Sequence, residues 1–97
     1  MPGVLRTRRS REDYDAIYDH IAGDSPQNAD MIIQLLEEKV ELLASYPSLG
    51  RRRSELGAGL RSSLVHGFIL FYRPAGDGIE LIRVVNGSMD ITPRFFV

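Results

Sequence analysis

Two apolar segments joined by a glycine-rich turn constrain the fold of this chain more than any other feature of its sequence. The segments Phe68 to Arg73 and Ile79 to Val85 flank PAGDG at 74–78, a pattern that predicts a β-hairpin. Antiparallel hairpins with one solvated face alternate apolar and polar residues, but both of these strands are apolar at most positions. Both faces of the predicted hairpin therefore need a cover.

The two-residue period of a β-strand assigns each apolar side chain of the hairpin to one face of the sheet. In the first strand, the period separates Phe68, Leu70 and Tyr72 from Ile69 and Phe71. In the second strand, it separates Ile79, Leu81 and Val85 from Ile82 and Val84. The sequence therefore predicts a sheet with two apolar faces.

Start and stop signals predict two helices ahead of the hairpin. The segment SRED is a variant of the capping box, with Ser10 at the N-cap and Asp13 three residues later. A second helix begins with Ser25 as N-cap and Pro26 at the first helical position, and Pro47 ends it. Because only a few residues separate the two helices, we expect an antiparallel helical hairpin.

Two further strands complete the predicted order β-α-α-β-β-β. Val4 to Thr7 forms a short first strand, 47–59 is a loop, and Arg61 to Val65 leads through a tight turn at His66-Gly67 into the apolar hairpin. This order predicts a single α+β domain over residues 1–97. Its antiparallel sheet carries the two-helix hairpin on one face, because the apolar stripes of the helices need a partner.

The second face of the sheet has three candidate covers: the apolar tail around Phe95 and Phe96, a second copy of the chain, or another protein. Large exposed apolar patches are uncommon on monomers and mark interaction sites. We therefore expect a partner or a dimer, rather than the tail, to cover this face.

Charge is segregated along the chain. The net charge is -1, but residues 12–46 hold nine acidic residues against one basic residue, Lys39, whereas residues 47–97 hold seven arginines against four acidic residues. Eleven of the twelve basic residues are arginine, which favours planar partners such as carboxylate or phosphate groups. Compositional bias explains the arginine preference equally well. The segregation itself predicts an acidic helical layer and an arginine-bearing sheet side.

The sequence argues against several kinds of site. Cysteine is absent, which excludes disulfides and thiolate metal sites. His20 and His66 have no second histidine or carboxylate at ligand spacing, and no nucleotide-binding glycine motif or nucleophile elbow is present. No apolar run approaches the roughly 18 residues of a membrane span, and the first residues lack the apolar core of a signal peptide. We therefore expect a cytoplasmic protein without metal or cofactor.

Two stretches of the sequence resemble the ParE toxins of the RelE/ParE superfamily, which belong to bacterial toxin–antitoxin modules. The stretch YPSLGRRRSELGAGLRS at 46–62 matches the family pattern at Leu49, Gly50, Leu56, Gly59 and Arg61. The stretch FILFYRPAGDGIELIRVVNGSMD at 68–90 matches it at Phe71, Tyr72, Arg73, Ile82, Arg83, Val84, Ser88, Met89 and Asp90. The element order matches as well, so the resemblance covers nearly the whole chain.

The resemblance implies a toxin that inhibits DNA gyrase and that a ParD-like antitoxin neutralises in a hetero-oligomer, a heterotetramer or larger. It implies no direct sequence-specific binding of nucleic acid. The alternatives are a RelE-like ribosome-dependent mRNA endoribonuclease and an inactive, antitoxin-binding relative. Asn86 raises the last alternative, because many relatives carry histidine at its position and an amide does not titrate.

Ribonuclease action requires a general acid and base near the scissile phosphate. The tail after Asp90, ITPRFFV, offers Arg94 but no tyrosine, lysine or histidine, and arginine stays protonated. A net charge of -1 is also unlike a protein that enters ribosomal RNA, where neutralisation of phosphates dominates affinity. A toxin that acts by binding, rather than an enzyme, therefore suits the sequence better.

The candidate site residues fall into two groups. Those that would contact the target are Arg61, Arg83, Asn86 and Arg94. Those that would contact the antitoxin are Tyr18, Leu42, Phe71, Tyr72, Arg61 and Arg73. Structural roles compete with the functional role that we favour for two of the arginines: Arg61 would pair with a helix carboxylate, and Arg83 would cap the sheet or snorkel. The run Arg51, Arg52 and Arg53 is either a nucleic-acid patch or, as we prefer, a solvated loop.

Overall fold

The computed structural model describes residues 2–96, and its elements follow the predicted order with two additions. The elements are β1 (Val4–Arg6), α1 (Arg8–Ala22), α2 (Pro26–Ser45), β2 (Arg51–Arg52), β3 (Arg61–Val65), β4 (Phe68–Ala75), β5 (Gly78–Asn86) and a 3-10 helix (Pro93–Phe96). The α+β prediction is confirmed. The additions are β2, which lies inside the predicted loop at 47–59, and the 3-10 helix in the tail.

The sheet has five strands in the order β1-β5-β4-β3-β2. β2, β3, β4 and β5 pair antiparallel, but β1 pairs parallel with β5, with Val4 opposite Ile79. The prediction of a wholly antiparallel sheet is therefore wrong at this edge. The helical hairpin carries the chain across the sheet to β2, and the meander then returns to β5 beside β1.

α1 begins three residues earlier than the sequence predicts. Its N-cap is Thr7, whose hydroxyl oxygen accepts a hydrogen bond from the Ser10 N–H at 3.0 Å, while Ser10 lies inside the helix and is buried. The Thr7 hydroxyl also donates to the Ile82 carbonyl at 2.6 Å, which couples the helix start to β5. α2 begins as predicted, because Ser25 caps it and Pro26 is its first residue.

A β-bulge in β5 changes which side chains face the helices. Phe71 lies opposite Arg83 and Tyr72 opposite Leu81, so Ile82 has no partner of its own in the register. Beyond the bulge the faces exchange, which places Val84 in the helix-side core and Val85 in the core of the opposite face. The predicted faces of these two valines are therefore wrong, since an extra residue shifts the two-residue period.

The first apolar core lies between the helices and the sheet. α2 contributes one buried stripe to it, and the sheet contributes side chains from β4 and β5. The residues are Ile32, Leu36, Val40, Leu43, Ala44, Leu70, Tyr72, Ile79, Leu81 and Val84. The periodic stripe predicted for α2 is thus confirmed as its buried face.

The second apolar core covers the other face of the sheet from within the chain. Leu56 and Leu60 of the β2–β3 loop pack there, together with tail residues that include Phe95 and Phe96. The Phe96 ring meets the Phe71 ring edge-on, with the ring centroids 4.8 Å apart. The expectation that a partner or dimer covers this face is therefore wrong. The cover is the loop together with the tail, and the tail is the alternative named in the sequence analysis.

Because β1 approaches β5 closely at Gly78, we expect a methyl group at this position to destabilise the fold. A Cβ at this buried position would clash with the Gly3 carbonyl oxygen and lie 2.7 Å from its nitrogen, and all of these neighbours are backbone. Gly78→Ala should therefore lower the free energy of unfolding by about 2–3 kcal/mol, measured by urea denaturation. Gly23→Ala is the matched control, because its Cβ would meet only ordinary contacts and its φ is -58°. Equal stabilities of the two variants would contradict this account of the β1–β5 contact.

Candidate functional site

Arg83 joins α1, β5 and the tail through one guanidinium group. Its Nε and Nη2 donate to the two carboxylate oxygens of Asp13 at 2.8 and 2.9 Å, and its Nη1 donates to the Phe95 carbonyl at 3.1 Å. The Asp13 carboxylate also accepts from the Val84 N–H at 2.9 Å. These bonds to Asp13 raise the pKa of Arg83. Arg83 is therefore a structural clamp in the isolated chain, and Asp13 is its partner instead of the capping-box acid predicted for α1.

Arg61 and Tyr72 fasten the turn after α2. The buried Tyr72 hydroxyl donates to the Pro47 carbonyl at 2.7 Å and accepts from the Gly50 N–H at 2.8 Å. Arg61 Nη1 donates to the carbonyls of Ser48 and Gly50 at 3.1 and 2.7 Å. The structural alternative for Arg61, pairing with a helix carboxylate, is therefore wrong, because its partners are backbone carbonyls. Burial raises the pKa of Tyr72, which keeps the hydroxyl protonated as a donor.

Phe71 and Tyr72 are the two sheet residues that the sequence places beside a docking surface. Both are fully buried, Phe71 under the tail and Tyr72 under the helices. Neither side chain is exposed in the chain alone, and direct contact of these two residues with an antitoxin stays a prediction.

Three arginines surround an open depression of about 490 Å³ at one end of the sheet. They are Arg52 of β2, Arg61 of β3 and Arg73 of β4, and the lining contains no acidic residue. Arg73 Nε donates to the Ala58 carbonyl at 2.8 Å, as Arg61 does to the carbonyls of the preceding turn. We call this feature the arginine pocket. It brings together two predicted site residues, Arg61 and Arg73, and places them away from Arg83.

Asn86 and Arg94 are both exposed. The Asn86 side-chain oxygen accepts from the N–H and the hydroxyl of Ser88 at 2.9 and 2.8 Å, which closes the turn after β5. Asn86 also lines a small depression with His20 of α1 and Phe68. The sequence treats His20 as an ordinary surface residue, and only the fold brings it near Asn86.

The outward face of α2 carries a row of exposed apolar side chains. Met31, Leu42 and Tyr46 are 47%, 41% and 64% exposed, and Leu35 between them is half-buried. Met31, Leu35 and Leu42 are four and seven residues apart, so they share one side of the helix, and Tyr46 is the C-cap residue that follows its last turn. We call this row the α2 outer stripe. Tyr18 of α1 is 37% exposed, and the nearby charge of Asp30 raises its pKa.

Comparison with known proteins identifies the family. The model of the "ParE toxin of type II toxin-antitoxin system, parDE" matches residues 4–91. The chain belongs to the ParE toxin family. Toxin ParE3 of Caulobacter vibrioides is 30% identical over 97% of this chain and 95% of its own. The solved structure of the chromosomal ParDE TA system from P. aeruginosa contains a chain with 28% identity and a TM-score of 0.73, covering 89% of this chain and 96% of that one.

These matches confirm the resemblance found in the sequence: this ParE chain is a toxin of a type II toxin–antitoxin system. Toxin RelE3 of Caulobacter vibrioides is also similar, at 32% identity over 87% of this chain and 92% of its own.

Within residues 2–96 of this ParE chain, no three histidine, cysteine or acidic side chains gather as metal ligands. No helix in the same range is both long and apolar enough to cross a bilayer.

The ion pair between Asp13 and Arg83 predicts that Asp13→Asn destabilises this ParE chain. The substitution leaves Arg83 mostly buried beside a neutral amide, so the free energy of unfolding should fall by about 2–3 kcal/mol. The amides of residues 91–96 should also exchange hydrogen faster, because Arg83 loses its orientation toward the tail. Urea denaturation and hydrogen exchange measure the two effects.

The adjacent acidic residue supplies the control for this prediction. Glu12 pairs with Arg8 at 3.7 Å, with both side chains largely exposed, so Glu12→Gln should change the free energy of unfolding by less than about 0.5 kcal/mol. An Asp13→Asn chain with the stability and tail exchange of the Glu12→Gln chain would show that the clamp does not hold the tail.

Proposed function

We propose that this ParE chain stops growth by inhibiting DNA gyrase in the bacterial cytoplasm, and that a ParD-like antitoxin neutralises it in a hetero-oligomer. The observation that carries this proposal is the ParE toxin model matching residues 4–91, most of the chain. The similar structure from P. aeruginosa is that of a ParDE system, which supports an antitoxin of the ParD kind as the partner.

The arrangement of the polar side chains favours inhibition by binding over catalysis. Acid–base catalysis needs a group that can give and take a proton beside the substrate. The buried Tyr72 hydroxyl is engaged by two backbone groups, and Arg83 is engaged by Asp13 and the tail. Asn86 does not titrate. The engagement of Tyr72 and Arg83 within the fold therefore supports inhibition by binding over acid–base catalysis at these two residues.

A second candidate function rests on the similarity to Toxin RelE3. A RelE-like chain would cleave mRNA on the ribosome. The third candidate, an inactive relative that still binds antitoxin, rests on Asn86 in the place where many relatives carry histidine.

The exposed apolar residues of the helices form the surface that we assign to the antitoxin. Leu42, with Met31 and Tyr46, offers an apolar row along α2, and Tyr18 is an additional contact on α1. Amphipathic helices bind such rows with anchors at helical spacing. Acidic residues of the antitoxin would reach Arg61 and Arg73 only if its chain extends past the end of α2 to the sheet.

Supercoiling of relaxed plasmid by purified gyrase tests the target. We expect this chain to inhibit supercoiling or to trap cleaved DNA–gyrase complexes, and we expect the cognate antitoxin, added in equal amount, to restore activity. The control is a translating extract in which mRNA integrity is followed at the same toxin concentration. Unaffected supercoiling together with cleaved mRNA would establish the RelE-like alternative. Normal growth after induction without antitoxin would establish the inactive alternative.

Leu42→Glu tests the antitoxin surface. A charge in the middle of the α2 outer stripe should weaken antitoxin binding at least about tenfold, because an unpaired carboxylate would be buried in an apolar interface. Titration calorimetry measures this change.

The control for the docking test is Leu5→Glu. Leu5 is 62% exposed and pairs with Glu80, whose neighbours Ile79 and Leu81 face the helices, so Leu5 lies on the sheet face away from α2. Loss of binding in Leu5→Glu with full binding in Leu42→Glu would place the antitoxin on the other face of the sheet.

A further inference from the structure

The arginine pocket holds side chains whose positions are fixed before any ligand arrives. Arg61 is held by the carbonyls of Ser48 and Gly50, and Arg73 is held by the carbonyl of Ala58. A guanidinium has five N–H donors, so each arginine keeps donors that these carbonyls do not use. A planar fork oriented in advance loses less conformational entropy when it binds an oxyanion.

The positive charge of the pocket is not neutralised by carboxylates of the described chain. The ion pairs found in residues 2–96 involve Arg6, Arg8, Arg53 and Arg83, none of which lines the pocket. Glu80 lies opposite Arg73 in the strand register, but no ion pair forms between them within 4.0 Å. Three arginines therefore line one depression whose lining contains no acidic residue.

The lining of the pocket suits a phosphate better than an acidic peptide. Its only apolar side chains are Pro74 and the buried Leu60, and Ser54 adds a hydroxyl donor. A peptide docks by burying apolar anchors, and the exposed apolar residues of the α2 outer stripe are absent from this lining. A phosphodiester needs only charge-assisted donors, which arginine supplies in bidentate form.

We propose that the arginine pocket binds a backbone phosphate of nucleic acid, without reading its sequence. Phosphate contacts position a protein on nucleic acid but carry no sequence information. The charge distribution fixes the orientation of approach: residues 12–46, which include both helices except the first turn of α1, carry nine acidic residues against one basic residue and repel phosphates. Arg51, the neighbour of Arg52 in β2, is exposed as well.

This site goes beyond the proposed inhibition of gyrase and can be tested without that enzyme. DNA held by gyrase is the source of phosphate that would serve a gyrase inhibitor, and RNA is the source that would serve a RelE-like toxin. Binding to nucleic acid by the isolated chain and inhibition of supercoiling are separate measurements, so failure of one proposal is distinguishable from failure of the other.

The test is fluorescence anisotropy of a short labelled duplex DNA, a single-stranded DNA and an RNA of the same sequence, each titrated with the full chain at several salt concentrations. The variant is Arg52→Gln, because Arg52 is exposed and no hydrogen bond to another described side chain is found for it, so the fold should persist. The matched control is Arg8→Gln, which removes the same charge from a side chain that is 91% exposed on α1.

We expect wild type and Arg8→Gln to bind alike. Arg52→Gln should bind about tenfold more weakly. The slope of its log affinity against log salt concentration should be smaller in magnitude by about one, because one phosphate contact is lost. The arm with the highest affinity identifies the nucleic acid. Two results would overturn the proposal: no binding in any arm at low salt, or equal losses of affinity in both variants.

Discussion

A sheet that is apolar on both faces must be covered twice, and this chain meets that constraint with few residues. The helical hairpin covers one face, while a loop and a short tail cover the other. The second cover is thin, and it depends on the bond from Arg83 to the Phe95 carbonyl and on the contact between the rings of Phe71 and Phe96. The Asp13–Arg83 pair holds that bond in place, so α1 and the tail are fixed by the same guanidinium group.

Local signals in the sequence predict the elements well where only one interpretation is available. Ser25, Pro26 and Pro47 mark both ends of α2 without competition, and the structure places them there. The predicted start of α1 is wrong because Thr7 and Ser10 are both good caps. The choice of Thr7 depends on its hydroxyl reaching the Ile82 carbonyl, a contact 75 residues away in sequence.

Features that depend on distant contacts are not predictable from periodicity. The bulge in β5 exchanges the faces of Val84 and Val85. An alternating pattern of apolar residues does not predict where an extra residue is inserted. The candidate site shows the same limit. The sequence singles out Arg61 and Arg83, but their contacts depend on carbonyls and a carboxylate that only the fold brings near. The apolar stripe on α2, by contrast, follows from helical spacing alone.

The Asp13 carboxylate has a second role at the edge of the sheet. β1 is only three residues long and leaves the far part of β5 without a neighbouring strand. Thr7 and Asp13 occupy the backbone groups of Ile82 and Val84 there. An open strand edge is a template for pairing between molecules. Because Thr7 and Asp13 occupy this edge, they protect the chain from polymerising through its sheet. This protection matters most while no antitoxin is bound to the toxin.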